Sequence, residues 1–471
     1  MERIVVRGSR FETATGSLFE PSGFHFVRRA DAFNYVFSPP LYDIGLIRQT
    51  LFNIALHNFN VVRCFVGYLN ITQTGAGHYP ELIDNIASFL STARSMGVYV
   101  LLECGNMPMF GSRYYIKASA GMRQDVDDIK NINFLVDSFA EFQAEEIVDL
   151  LNEVADRDPL CLEALFAIEI RNEAEFSAIS PPFSQNAGVF RYHDVNYDLA
   201  SPADRQSLMD VSVTYSVEVI AGKIRQSFPQ ILVSCSTLTP RIRKRMSPLD
   251  NMPGPTCIPV NALALANSNL DFIDIHYVEA DDSSDLQSME WASVQETGKA
   301  VLCGEFGTQG STARETRRKL RDAGFAGCIY WDYDREFERH HSALSNNGAV
   351  FRDLMEHDKE TFNLNGTVFV TNGNICAGFI SESHRRAYVS IFGDGRSGSA
   401  RPLTFPLAPL PEGYFEWNST FFFTEGNGKF IGFLSQDGIQ RHQHDHPTSS
   451  TFPKFSHDPN DFMTQMFPPL A

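Results

Sequence analysis

Apolar positions along the chain fall into two regimes. Between about residues 24 and 356, short and nearly continuous apolar runs alternate with longer stretches whose apolar residues recur at helical spacing. The runs are 24–30, 60–66, 98–103, 164–170, 231–236, 271–277, 300–306 and 327–331, eight in all. Each is rich in Val, Ile, Phe or Cys, as expected of a parallel strand whose outer face is covered by helices. Helix-like stretches between them include 80–96, 131–154, 204–227 and 312–323, with Gly97 and Gly324 placed where a helix C-terminus should stop. Strand–helix alternation repeated eight times predicts an α/β fold, a (β/α)8 TIM barrel, with a doubly wound open sheet as the competitor. Residues 1–22 form a short hairpin pattern (VVRGSRF, GSLFE) suited to plugging the barrel floor.

After residue 357 the pattern changes to alternating segments separated by Gly-rich turns, such as GTVFVTNG, RRAYVSIFGDG and KFIGFLS. They predict an antiparallel module. From Gln440 the chain is rich in His, Pro, Ser and Asp, which suits an extended tail. The expected organisation is therefore a barrel with its hairpin over 1–356, a C-terminal β-rich module over 357–439 and a tail over 440–471.

Composition narrows the partners. Apolar residues make up 43% and charged residues 20% of the 471 positions, ordinary for a water-soluble domain pair. The formal charge of −18 disfavours nucleic acid and an anionic membrane surface, both of which select clustered Lys and Arg. A neutral polysaccharide or oligosaccharide is indifferent to that charge, and no protein partner is indicated. No apolar run approaches the roughly 20 residues that span a bilayer. MERIVVRGSRF lacks the apolar core of a secretory signal. The eight cysteines show no zinc-like spacing, and five (Cys64, Cys104, Cys235, Cys303, Cys328) sit in or beside strand-like runs. Together these favour an intracellular protein with free thiols, or a secreted one if Met1 is not the native start. Sequons at Asn70, Asn365 and Asn418 pull weakly the other way.

Two strand ends carry chemistry. One is Ile168-Glu169-Ile170-Arg171-Asn172-Glu173; the other is Val301-Leu302-Cys303-Gly304-Glu305-Phe306-Gly307. In a barrel, catalytic groups sit at the C-terminal ends of strands. Long loops after the third run (104–130) and the fourth (174–203) belong to the same face. Two carboxylates there can protonate a leaving oxygen and attack an anomeric carbon. Each signal alone also has a structural reading: Arg63 as a barrel-interior partner of Glu169, His276 as a core histidine, Trp331 as packing. Glu175 is the rival to Glu173. Gly393-Asp394-Gly395-Arg396-Ser397-Gly398 fits a dinucleotide pattern literally, but no helix follows it, so a hairpin loop is expected. His442, His444 and His446 could ligate a metal, although a solvated tail is the simpler reading; neither metal nor cofactor is expected.

Taken in order, the motifs resemble those of glycoside hydrolase clan A, family 5, of the endo-β-1,4-mannanase and cellulase type. Arg7-Gly8-Ser9-Arg10-Phe11 matches the family's opening RGxxF hairpin, Val61-Val62-Arg63 its second-strand Arg, and Leu101-Leu102-Glu103-Cys104-Gly105-Asn106 its third-strand Asn loop. Glu169-Ile170-Arg171-Asn172-Glu173-Ala174 matches E-L-x-N-E-P, and Asp271-Phe272-Ile273-Asp274-Ile275-His276-Tyr277 partly matches D-F-x-T-x-H-x-Y. The resemblance covers about residues 1–335. It implies that Glu173 is the acid/base, Glu305 the nucleophile, and that Arg63 keeps the Glu305 pKa low while that of Glu173 is raised. Arg63, Asn106, Asn172, His276, Tyr277 and Trp331 would bind substrate, with Asn172 on the sugar 2-hydroxyl and Trp331 as the floor.

Three departures stand out. Ala174 replaces a proline. Tyr277 stands one place early, with Val278 where the family's Tyr belongs, so a register shift or a missing contact is expected. Trp platforms are scarce, leaving Tyr68, Phe110 and Phe176 as substitutes. The implied activity is retaining hydrolysis of a β-1,4-linked glycan, mannan before glucan. The alternative is an inactive glycosidase-like barrel serving as a glycan-binding or assembly protein.

Overall fold

The computed structural model describes residues 1–26, 36–38, 41–56, 59–67, 75, 77–238, 257–278, 286, 288–307 and 313–331, and separate strands between 367 and 440. The chain divides into two compact units: Met1–Phe52 with Phe59–Glu336, and Asn53–Asn58 with Phe337–Ala471.

In the first unit every predicted run overlaps a strand: Ser22–His25, Val61–Phe65, Tyr99–Glu103, Leu165–Glu169, Leu232–Ser234, Phe272–Val278, Ala300–Gly307 and Gly327–Tyr330; the first strand starts two residues before its run, whose residues 27–30 lie outside the described ones. The strands pair in parallel in chain order, and the eighth closes on the first through Cys328↔Ser22. The fifth strand comes in two pieces. Leu232–Ser234 pairs with the fourth strand, and Ser236–Leu238 pairs with the sixth. The sheet therefore closes on itself at Cys235, which makes it a (β/α)8 barrel and rules out the open sheet.

Helices follow the strands, among them Ile44–Leu56, Pro80–Met96, Pro202–Ser227 and Ala313–Asp322. Pro80–Met96 ends as anticipated on Gly97, whose φ of 71° suits a residue without Cβ. Pro202–Ser227 starts where the Ser201 hydroxyl accepts from the Asp204 N–H, with Pro202 at the first helical position. The stretch expected as one helix over 131–154 is two, Ile129–Leu135 and Asp137–Arg157, broken at Val136 with φ −121° and ψ 98°. The short first piece holds buried Asn131, whose side chain bonds backbone groups of Ser177, Ser180 and Pro181 and so braces the loop after the fourth strand. No helix among the described residues is long and apolar enough to cross a membrane.

The hairpin Ile4–Arg7 and Arg10–Thr13 seals the barrel floor. Phe11 is fully buried, its ring edge-on to Phe166 at 5.3 Å and to Phe272 at 5.1 Å. Ile4, Phe19, Val61, Leu101, Leu302 and Ile329 complete this apolar layer. Strand side chains alternate between faces with period two. A residue two positions beyond a floor residue thus also points inward, one layer higher: Val61 leads to Arg63, Leu101 to Glu103, Ala167 to Glu169 and Phe272 to Asp274. All four of these polar residues are buried.

The second unit contains a four-stranded antiparallel sheet (Thr367–Thr371, Asn374–Ser381, Arg386–Ile391, Leu403–Pro409) and a three-stranded one (Ser419–Phe421, Gly432–Ser435, Gly438–Gln440). It is β-rich, as expected. The 393–398 loop, the sequon asparagines Asn70, Asn365 and Asn418, Tyr68 and the whole tail beyond 440 lie outside the described residues. Of the five cysteines expected as buried thiols, all are buried and none forms a disulfide.

Emptying the floor should destabilise the barrel. Phe11→Ala is expected to cost about 3–5 kcal/mol, read as a lower denaturant midpoint by fluorescence of Trp291 and Trp331. Phe110→Ala, at a residue 83% exposed, should stay within about 0.5 kcal/mol of the parent.

Candidate active site

The polar layer opens upward into a cleft of about 450 Å³ at the C-terminal ends of the strands. Phe65, Glu103, Gly105, Asn106, Arg171, Asn172, Glu173, Glu305 and Trp331 line it.

Its base is the buried Arg63 guanidinium. Nε and Nη2 donate to the two Glu169 oxygens at 3.0 and 2.5 Å. Nη1 donates to Glu305 Oε1 at 2.6 Å, and Nη2 also to Asn172 Oδ1 at 2.6 Å. Both readings of Arg63 hold together: it is the partner of Glu169 and it grips Glu305. The Asn172 amide orientation follows, since its oxygen faces a cation and its Nδ2 is left to donate elsewhere.

Glu305 reaches the cleft through an irregularity in the seventh strand. Leu302 belongs to the floor, so strict alternation would aim residue 304 inward and 305 outward. Between Cys303 and Phe306 this strand carries one residue more than either neighbour. The bulge reverses the alternation and brings Glu305 inside. Gly304 absorbs it: its N–H donates to Asp274 Oδ1 at 2.5 Å, and a Cβ there would lie 1.8 Å from Asp274 Oδ2.

Glu173 stands four residues past the fourth strand, in the left-handed region at φ 43°. Its N–H donates to Ser236 Oγ at 2.8 Å, and that hydroxyl donates to Glu169 Oε1 at 2.8 Å. A strained backbone is thus pinned to the polar layer from below. Buried His276 joins the two glutamates. Its Nδ1 lies 3.1 Å from Glu173 Oε1 and 3.6 Å from Glu305 Oε2. One oxygen of each carboxyl and a ring nitrogen all fall within 4.8 Å of one another. Glu169, Asp274 and His276 offer a second such set. In both, Arg63 already sits against a carboxylate as the neutralising cation.

The charges are uneven. Burial opposes the His276 charge, but Glu305, the hydrogen bond to Glu173 and Asp274 together raise it to about 9. Burial likewise acts to raise Glu173, yet the hydrogen bond and charge of His276, with Arg63, hold it below its ordinary value. Burial raises Glu305 despite His276 and Arg63, with Glu173 and Glu169 adding to the rise. The expected order, a low Glu305 and a raised Glu173, is therefore reversed in this open site. The cause is His276 together with depth: the imidazole hydrogen-bonds Glu173 and outweighs its burial, whereas Glu305, 14% exposed against 40% for Glu173, is buried more deeply than His276 and Arg63 can offset. Burial and Arg63 keep His25 neutral, with its Nε2 2.8 Å from the Gly304 carbonyl. Burial and Glu169 push Glu103 up to about 7, while its Oε1 accepts from the N–H groups of Gly105 and Asn172.

Of the residues singled out from sequence, Glu173, Glu305, Arg63, Asn106, Asn172, His276 and Trp331 meet at this cleft. Trp331 is braced by the edge of His25, ring centres 4.6 Å apart. Tyr277 does not join them. The sixth strand alternates regularly, so Asp274 and His276 face inward and Tyr277 is buried on the opposite face. The register shift anticipated there exists, but it belongs to the seventh strand. Glu175 pairs with Lys130 and does not line the cleft. Phe176 is buried between Phe134 and Phe183 and cannot be a sugar platform. His25, Glu103, Ser236 and Asp274 were not singled out. Each is a lone polar residue in or beside an apolar run, and their inward parity with Arg63 and Glu169 was the available signal.

No protein-family model and no curated protein matches the chain. Among solved structures it is similar to the endo-1,4-β-mannanase of Rhizomucor miehei, with 17% identity, a TM-score of 0.48, and 70% of this chain and 90% of that one covered. The β-1,4-D-mannanase of Cryptopygus antarcticus gives 15%, 0.46, 71% and 89%. The β-mannanase of the blue mussel Mytilus edulis gives 15%, 0.46, 76% and 97%.

The His276 charge is directly measurable. Its imidazole should titrate near pH 9 in the folded protein against 6.5 for an ordinary histidine, read by nitrogen-15 NMR. Since the folded value is the higher, its contribution to stability is complete below pH 6.5 and is lost as pH rises through 9. Glu173→Gln removes the hydrogen-bonded anion and should lower the midpoint. Titration at or below the ordinary value would contradict this charge assignment.

Proposed function

We propose that this chain is a retaining glycoside hydrolase that cleaves a β-1,4-linked glycan, mannan before glucan, by double displacement. The observation that carries the reading is the Glu173/Glu305 pair at the barrel mouth, with an oxygen of each within 4.8 Å of the other. Retaining enzymes hold their carboxyls about 5–5.5 Å apart, and inverting ones leave about 6.5–9.5 Å for a water. The preference for mannan rests on the motif resemblance in the sequence.

Glu305 is the nucleophile in this reading. It lies deeper, and Arg63 fixes one of its oxygens so that the other faces the cleft beside His276. Glu173, nearer the rim, protonates the leaving oxygen. In the open site the proton it needs rests on His276, 3.1 Å away. A sugar filling the cleft strips water from the half-exposed Glu173 and adds the burial it lacks, which favours its neutral form. The proton then passes from His276 Nδ1 to Glu173 Oε1, while Arg63 stays bonded to Glu305 and opposes its protonation. Once Glu305 has formed the glycosyl ester, its charge is gone and Glu173 activates the water that releases the sugar. Asn172 Nδ2 is free of the guanidinium contact and donates to the 2-hydroxyl. Trp331 supports the ring, and Asn106 contacts the chain further along.

Reducing-sugar release from a panel of β-mannans, β-glucans and xylans tests the reading. Wild type should act on one class, and Glu305→Gln should abolish release. Glu173→Gln should slow polymer cleavage about 10²–10⁴-fold yet largely spare aryl glycosides whose acidic phenols leave without protonation. A folded wild type that is silent on every polymer but retained on a glycan column would replace this reading with the glycan-binding one.

A further inference from the structure

Outside the cleft, one pair of side chains stands in an arrangement that the proposed reaction does not use. Lys130 is the second residue of the short helix Ile129–Leu135, and Cys257 begins the strand Cys257–Pro259. Lys130 Nζ lies 2.8 Å from Cys257 Sγ and also contacts Glu175 Oε1. Glu175 lies on the facing strand, opposite Pro259. The nitrogen and the sulfur are thus in direct contact, near enough for one oxygen atom to join them.

We propose that Lys130 and Cys257 form an oxidation-dependent cross-link, a nitrogen–oxygen–sulfur bridge driven by peroxide. Three further observations support it. Cys257 is half-buried and accessible, whereas the other six described cysteines are buried. Lys130 Nζ, the nitrogen to be joined, rests directly against the sulfur. Glu175 contacts the same nitrogen from the facing strand and keeps the Lys130 side chain in place over the sulfur.

The chemistry balances with two peroxides. The Cys257 thiolate attacks one peroxide oxygen, which becomes the hydroxyl of a sulfenic acid; the other oxygen leaves as water. The Lys130 ammonium releases its proton to solvent water as the bridge forms. Joining the sulfenic oxygen to Nζ removes the hydroxyl hydrogen and one amine hydrogen together with two electrons. A second peroxide accepts them and leaves as two waters. The product is Cys257 Sγ–O–Nζ Lys130, reducible by thiols.

The bridge would tie the loop after the third strand to the ribbon after Glu173, across 127 residues of chain. Cross-linking so long a loop restricts the unfolded chain and raises the melting temperature. The proposal does not depend on glycosidase activity.

The test is peptide mass spectrometry of the full chain after hydrogen peroxide. Expected is a tryptic pair joined through Lys130 and Cys257, heavier than the separate peptides by one oxygen less two hydrogens. It should be reversed by dithiothreitol, with the oxidised protein melting at higher temperature than the reduced. Lys130→Arg keeps the charge on Glu175 and should lose the link, leaving Cys257 as sulfenic or sulfinic acid. Wild type that gives only those acids with unmodified Lys130 would overturn the proposal. So would a direct sulfur–nitrogen link lacking the oxygen, or a link that survives in Lys130→Arg.

Discussion

A single buried cation organises the barrel interior. Arg63 has no access to solvent and spends its donors on Glu169, Glu305 and Asn172. A charge in that position must be met by opposite charge, since an unpaired ion in a protein interior is costly by several kcal/mol. Glu169 meets it from the side, and Glu305 takes the remaining corner. The Ser236 hydroxyl then links Glu169 to the Glu173 backbone. Glu305, Asn172 and the Glu173 backbone are therefore oriented by contacts that end on one guanidinium.

The polar layer depends equally on the apolar one beneath. The hairpin ring Phe11 fills the barrel bottom, and the rings of Phe166 and Phe272 meet it edge-on. With the floor dry and filled, the next inward layer has few neighbours except its own charges. Carboxyl and imidazole groups there respond strongly to one another, which is why His276 is raised and His25 is lowered within one small volume.

Much of this was legible in the sequence, and the reason is physical. Barrel strands are covered on both faces, so the runs at 60–66 and 164–170 read as continuous apolar segments. Arg63, Asn172 and Glu173 stood out because a polar residue at the end of such a run needs an explanation. Asp274 and His25 did not, because nothing local distinguishes a polar residue aimed into a network from one at a strand margin. Tyr277 was misplaced by one position of parity. The charge order of Glu173 and Glu305 was unreadable, since it depends on depth below the surface and on a histidine about a hundred residues away.

The bulge at Gly304 has a further bearing on how such barrels diverge. An extra residue in the seventh strand leaves its neighbours' pairing intact on both sides, so the cost of gaining or losing it falls on one turn of backbone. Deleting that residue would turn the Glu305 carboxylate out beneath the helices and leave floor, strand order and composition almost untouched. Two chains separated by this deletion would look alike in amino-acid content and architecture, yet only one would set a second carboxylate against Glu173 in its cleft. Descent with preserved shape and lost chemistry needs no erosion of the motif letters, only a change in their count.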